Sequence, residues 1–177
     1  MRPHRSASSP RARAASPVVA SAPAPDSTII AAIEERPGPV LVALSGGGDS
    51  TALLHSLTDR FGAGRLMALC VDHALREGSA SDAARALGLA EQLGVKARAV
   101  RLSWPEGPRR AQAHARLMRY RALCAAAREL GASVIALGHT RDDQAETVFM
   151  RAARGSSWRG LAGMRAFAPA PVWPEGR

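Results

Sequence analysis

The run Ser45-Gly46-Gly47-Gly48-Asp49-Ser50 brings together two hydroxyls, a carboxylate and a stretch of backbone without side chains. Consecutive glycines remove every Cβ, so backbone N–H groups can wrap an anion closely. A helix starting at the end of the run would add a favourable partial charge. Ser45 and Ser50 can supply further donors. The run lacks the Gly-Lys-Ser/Thr ending of a Walker loop, so no lysine neutralises the phosphates. It carries Asp49 instead. A carboxylate beside phosphates is repulsive unless a cation lies between them, which points to Mg2+ bridging Asp49 and a nucleotide. The rival reading is a plain glycine turn whose Asp49-Ser50 caps a helix.

Four further segments carry groups able to do chemistry. Val71-Asp72-His73-Ala74-Leu75-Arg76 ends an apolar run in polar residues. In Ala115-Arg116-Leu117-Met118-Arg119-Tyr120, Arg116 and Arg119 share one helix face and can hold a phosphate or a carboxylate, or simply face water. Gly138-His139-Thr140-Arg141-Asp142-Asp143-Gln144-Ala145-Glu146-Thr147 crowds acids into the first turn of a helix, which the macrodipole alone would favour. Asp143 and Glu146 nevertheless share a face suited to an ammonium group or a metal. From Arg151 to Met164, basic residues including Arg154 and Arg159 alternate with glycines around Trp158, a pattern suited to a phosphate backbone and a stacked base. A helix end with an ordinary glycine cap is the alternative there.

These groups need elements to hold them. Asp26 or Ser27 can cap a short helix through Glu35, broken at Pro37-Gly38-Pro39. Val40 to Leu44 reads as a strand buried on both faces, followed by the glycine run and a helix from Ser50 to Asp59. Strands are expected at Leu66 to Val71, Ala97 to Leu102 and Val134 to Leu137. Helices are expected from Ser79 to Leu93, from about Pro108 to Leu130 and from Asp142 to Arg154, the first two stopping at Gly94 and Gly131. The tail from Ala166 is Pro-rich without a strong period. The alternation predicts an α/β fold with a doubly wound parallel sheet. Ligands in such sheets bind beyond the carboxyl ends of the strands, where all of these motifs begin.

Composition sets outer limits. The 177 residues have room for one ordinary domain, and 46% are apolar. No apolar stretch is long enough to cross a membrane. Lys and Arg number 24 against 15 Asp and Glu, a formal charge of +9, so a polyanion partner and a general arginine bias are both open. Cys70 and Cys124 form no C-x-x-C pair, which argues against a disulfide framework or a zinc site and fits a cytoplasmic setting. Residues 1 to 25 are rich in Arg, Ala, Ser and Pro and contain no acid. They are expected to be a disordered extension, with organelle targeting as the alternative.

The glycine run resembles the SGGxDS signature of the PP-loop, or N-type, ATP pyrophosphatases. That resemblance implies an adenine nucleotide alpha hydrolase-like fold. Ser45, Gly46, Gly47, Gly48, Asp49 and Ser50 would bind ATP and hold its leaving pyrophosphate, and attack at the α-phosphorus would adenylate a substrate. SGGGDS, VDHALR, ARLMRY, HTRDDQAET and RGSSWRGLAGM in this order, over residues 40 to 164, further resemble the tRNA(Ile)-lysidine synthases. This implies a carbon-nitrogen ligase that uses ATP to join free L-lysine to C2 of the anticodon wobble cytidine of isoleucine tRNA with a CAU anticodon. Asp49 would serve Mg-ATP activation, Arg119 and His139 would line the catalytic site, and Asp143 and Glu146 would bind the lysine amine. Arg154, Trp158 and Arg159 would lie near the tRNA.

The family's chains are much longer. The expectation is therefore an incomplete catalytic domain over residues 26 to 177, truncated at its C-terminus and without the later tRNA-binding domains. Its activity alone is expected to be impaired. A free lysine amine has a pKa of about 10.4, so on the order of one molecule in a thousand is unprotonated at neutral pH. Carboxylates bind the ammonium form but hold its pKa up, which makes Asp143 and Glu146 binding groups first. The rivals are a PP-loop tRNA thiolation enzyme, which would need paired cysteines, and a non-catalytic basic nucleic-acid-binding fragment.

Overall fold

The structure is a computed structural model that describes residues 18–21, 27–74, 77–103, 112–138 and 167–169. Its strands are β1 (Val18–Ser21), β2 (Val40–Ala43), β3 (Leu66–Asp72), β4 (Lys96–Arg101), β5 (Val134–Leu137) and β6 (Phe167–Pro169). Its helices are α1 (Ser27–Glu34), α2 (Gly48–Phe61), α3 (Ser79–Gln92) and α4 (Gln112–Leu130), with a single 3-10 turn at Ala63–Arg65. The strands form one sheet in the order β4-β3-β2-β5-β1-β6. All neighbours pair in parallel except β1 and β6, which are antiparallel.

The period of two in β2 sorts the core into two layers. Val40, Val42 and Leu44 pack with Leu53, Leu54 and Leu57 of α2 and Ala83, Ala86 and Ala90 of α3. Leu41 and Ala43 point the other way and pack with Leu123, Cys124, Ala126 and Ala127 of α4. Both faces of β2 and β5 are buried, which is why each reads as an unbroken apolar run. Complete burial of a leucine such as Leu54 contributes about 1.5–3 kcal/mol. Cys70 belongs to the first layer and Cys124 to the second, so the sheet separates the two thiols.

Arg65 ties down the amino ends of the strands. Its guanidinium donates to the carbonyls of Ile33 at 2.7 Å, Arg36 at 2.8 Å and Gly38 at 3.1 Å. A cation on the last carbonyls of α1 complements the helix dipole and fixes the turn into β2.

The chain runs from β2 to β3 to β4 on one side, then returns to β5 on the other side of β2. The carboxyl ends of β2 and β5 therefore flank the switch point of the sheet, where such folds open a crevice.

The expected strands and helices are present among the described residues, with shifted ends. α2 starts at Gly48 rather than Ser50, because the N–H of Thr51 reaches the Gly47 carbonyl at 3.1 Å and closes the first turn there. Two expectations need correction. Val18–Ser21, within the segment expected to be disordered, is a strand paired in register with Val134–Leu137. The Val18-Val19-Ala20 run suits a strand although the composition around it does not. Phe167–Pro169, in the tail without a period, pairs on the outer side of β1. Proline is tolerated in a strand at such an edge. The helix expected from Asp142 to Arg154, and residues 104 to 111 before α4, lie outside the described residues.

Candidate active site

The glycine loop leaves β2 and enters α2 at the switch point. Gly46 has φ +82, a conformation that side chains rarely adopt, and a Cβ there would meet the Asp82 carbonyl and the Ala86 methyl, both at 3.5 Å. The loop thus lies against the start of α3. Gly47 is the N-cap of α2 and has no side chain to accept a bond from the first turn. That helix start is open to an external anion.

Ser50 holds the loop together. It is 4% exposed. Its hydroxyl donates to the Gly47 carbonyl at 3.0 Å and accepts the Ser45 N–H at 3.1 Å. The Ser50 hydrogen is used on Gly47, so the Ser45 hydroxyl is the donor in the 3.0 Å contact between the two oxygens. The Gly47 N–H reaches Ser45 Oγ at 3.4 Å, a long bond that a phosphate can displace. Asp49 is exposed in the first turn of α2, beside this cradle. One exposed carboxylate fits Mg2+ carried on nucleotide phosphates, which takes one or two protein carboxylates. Among the described residues no group of three metal-ligating side chains forms a metal site of its own.

A cavity of about 320 Å³ adjoins the loop. Ser45 forms part of its wall, with Cys70, Asp72, His73 and Ala74 from the end of β3 and Asp82 from α3. That is large enough for a small organic ligand. Asp72 is buried and accepts the Ala74 N–H at 2.8 Å, while Arg101 Nε stands 3.9 Å from its other oxygen. The bond from Ala74 is the main reason its carboxyl is held below the usual range, with help from the Ser79 hydroxyl and Arg101 against the cost of burial. Ala74 takes φ 49 to make this turn. Burial pushes the Cys70 thiol up, and the charges of Asp72 and Asp82 add to this, so the thiol stays protonated.

A second cavity of about 100 Å³ lies on the α4 side and is lined by Ser45, His73 and Arg119 among others. Ser45 and His73 border both cavities. Burial is the main cause that lowers the Arg119 pKa, with Arg116 adding to it. Among the described residues no carboxylate lies within ion-pair distance of Arg119. Burial also lowers the His73 pKa, and Arg119 adds to this against the opposing charge of Asp72. His73 is therefore neutral at pH 7. Arg116 stands over the Tyr120 ring, 5.4 Å from its centre. Arg116 and Arg119 thus part company: one is exposed on an aromatic ring, the other faces a cavity.

Of the residues singled out in the sequence, Ser45 to Ser50 and Arg119 fall on this one end of the sheet. His139, Asp143, Glu146, Arg154, Trp158 and Arg159 lie outside the described residues. Sequence reasoning missed Asp82 and Ser79, whose signal was only a helix start, and it named Gly138 only as the head of a motif, without its contact to Ser50. A glycine directly after a buried strand is a sign of close backbone approach. At Gly138 a Cβ would lie 2.8 Å from Ser50 Cα.

A family model described as the PP-loop domain matches residues 26–173. The tRNA(Ile)-lysidine synthase of Hyphomonas neptunium is 45% identical over 141 residues, which are 78% of this chain and 37% of that protein. The tRNA(Ile)-lysidine synthase of Salinispora tropica is 48% identical over 134 residues, 73% of this chain and 40% of that protein. That of Caulobacter vibrioides is 46% identical over 143 residues, 78% of this chain and 34% of that protein. The chain spans 40% or less of each of these relatives. Among solved structures, the U34-tRNA thiolase NcsA from Methanococcus maripaludis with its [4Fe-4S] cluster superposes with a TM-score of 0.60 at 22% identity, covering 69% of this chain and 44% of that one. At that identity the likeness is one of fold. With the glycine loop seated at the switch point of a parallel sheet and the family match running over most of its length, the chain belongs to the PP-loop domain family.

Proposed function

We propose that this chain is the ATP-binding, tRNA-activating part of an enzyme that makes lysidine in isoleucine tRNA. The observation that carries the reading is the Ser45–Ser50 cradle, backed by an open helix start and set between two cavities that share Ser45 and His73. The larger cavity takes the adenosine part of ATP, and the cradle takes its β- and γ-phosphates. Mg2+ brought in by the nucleotide neutralises phosphate charge, and Asp49 is the side chain that would hold it. A cavity-facing guanidinium with no carboxylate partner among the described residues suits charge that develops outside the protein, so Arg119 is assigned to the α-phosphate or to the oxygen it is transferred to.

The substrates are assigned from the relatives and from the ordered motifs. The cytidine C2 oxygen attacks the α-phosphorus, pyrophosphate leaves, and the lysine amine then displaces AMP at C2. Asp143 and Glu146 bind that amine, and Arg154, Trp158 and Arg159 lie along the tRNA. A thiolation role is disfavoured because the two thiols sit on opposite faces of the sheet and Cys70 is protonated. The test is ATP labelled at its α-phosphate, mixed with the chain and isoleucine tRNA of CAU anticodon. Label should reach the tRNA and leave as AMP when lysine is added. Label that reaches the tRNA but is released equally without lysine would contradict the assignment of lysine as nucleophile.

A further inference from the structure

Gly138 follows β5 at the switch point and comes up against the start of α2. A Cβ at this position would lie 2.8 Å from Ser50 Cα, 2.9 Å from Ser50 N and 3.0 Å from Asp49 C. All three are backbone atoms, so no side chain can swing aside. Gly138 is not among the glycines with positive φ. Its backbone conformation would accept any residue, and only the approach of α2 forbids one. Restoring an ordinary 3.4 Å contact would move the helix start by about 0.6 Å (3.4 less 2.8).

The helix start is where that movement matters. Ser50 is the hub whose hydroxyl joins Ser45 to Gly47 within bonds of 3.0 to 3.1 Å. Asp49, next to it, is the proposed Mg-ATP carboxylate. Hydrogen bonds weaken quickly with such displacements, and misplacement on this scale is enough to lower catalysis strongly.

We infer that Gly138 is a positioning residue for the pyrophosphate cradle: its missing side chain lets β5 hold the start of α2, and with it Asp49 and Ser50, in the place that receives the phosphates. The inference rests on the ATP reading above. It assigns no contact with substrate to Gly138 itself.

The test compares inorganic pyrophosphate with adenosine as probes, by calorimetric titration of the intact chain and its Gly138→Ala variant. Pyrophosphate affinity should fall at least tenfold, while adenosine, held by the cavity beyond β3, should change less than about twofold. A loss shared equally by both probes, or no loss, would overturn the inference while leaving the ATP reading in place. Failure of the unaltered chain to bind either ATP or pyrophosphate would overturn both. If the variant does not fold, amide resonances of the unaltered chain decide instead. Pyrophosphate should shift the Gly138 amide together with that of Ser50, and a Gly138 resonance that stays still at saturation would contradict the coupling.

Discussion

The Ser45 hydroxyl donates to the Ser50 hydroxyl across 3.0 Å, turned inward from the mouth of the loop. The direction follows from Ser50, which spends its own hydrogen on the Gly47 carbonyl. One serine therefore builds the cradle and the other is free to rotate toward a ligand without dismantling it. The two ends of an SGGGDS motif look equivalent as residue types, and the fold makes them unequal.

That inequality is measurable. Ser50→Ala leaves the Ser45 N–H without its partner and takes one bond from the Gly47 carbonyl, which keeps those from Thr51. It should cost about 1–3 kcal/mol of unfolding free energy and also weaken ATP binding. Ser45→Ala, at an exposed position, should cost less than about 0.5 kcal/mol while still weakening ATP. Urea unfolding and ATP titration of both variants check the contrast.

Gly48 separates stability from binding in the other direction. A Cβ there meets nothing within 4 Å. Gly48→Ala should leave the fold intact and stabilise α2 by up to about 1 kcal/mol, as alanine does in helices. The added methyl stands where phosphate should approach, so ATP affinity should drop about tenfold. A variant both more stable and equal in affinity would place the phosphates elsewhere.

Asp72 makes stability depend on acid. Its folded pKa lies below its ordinary value of 3.8, chiefly through the Ala74 N–H. The stability it contributes is therefore complete above 3.8 and is lost as pH falls through the lower folded value. Urea midpoints measured from about pH 5 down to about pH 2 should fall for the natural chain, with a shallower fall for Asp72→Asn. Equal slopes would show that other carboxylates carry the acid sensitivity.

Arg119 should show the reverse of a structural ion pair. Removing one partner of a buried pair costs about 3–5 kcal/mol, because the other charge is stranded. Arg119 has no such partner among the described residues. Arg119→Gln should therefore change unfolding free energy by less than about 1 kcal/mol while lowering adenylate transfer to tRNA about a hundredfold. Chemical denaturation and the labelled-ATP assay on the same preparation separate the two effects.

What could be read from the residues follows their physics. Strands buried on both faces write themselves as unbroken apolar runs, which is why β2 and β5 were legible. β4 lies at the sheet edge, and its Lys96, Arg98 and Arg101 are exposed, yet its ends were still found within a residue. β1 and β6 were not legible. They are short, they lie among prolines, and they exist because β5 and β1 offer an edge to pair with. In the site, the glycine loop was visible because it is contiguous. The contact of Gly138 with Ser50 joins residues far apart in sequence, and only the β2-β5 adjacency brings them together. The unequal environments of Arg116 and Arg119 were equally hidden, since spacing placed both on one face.

The proposed function requires the Ser45–Ser50 loop to bind the phosphates of Mg-ATP through Asp49. Calorimetric titration of ATP into the chain and into Asp49→Ala, with and without Mg2+, is the decisive measurement. Binding to the natural chain should weaken at least tenfold without Mg2+ and to a similar extent in Asp49→Ala, with unchanged thermal unfolding. Equal affinity for the two proteins in the presence of Mg2+ would contradict it.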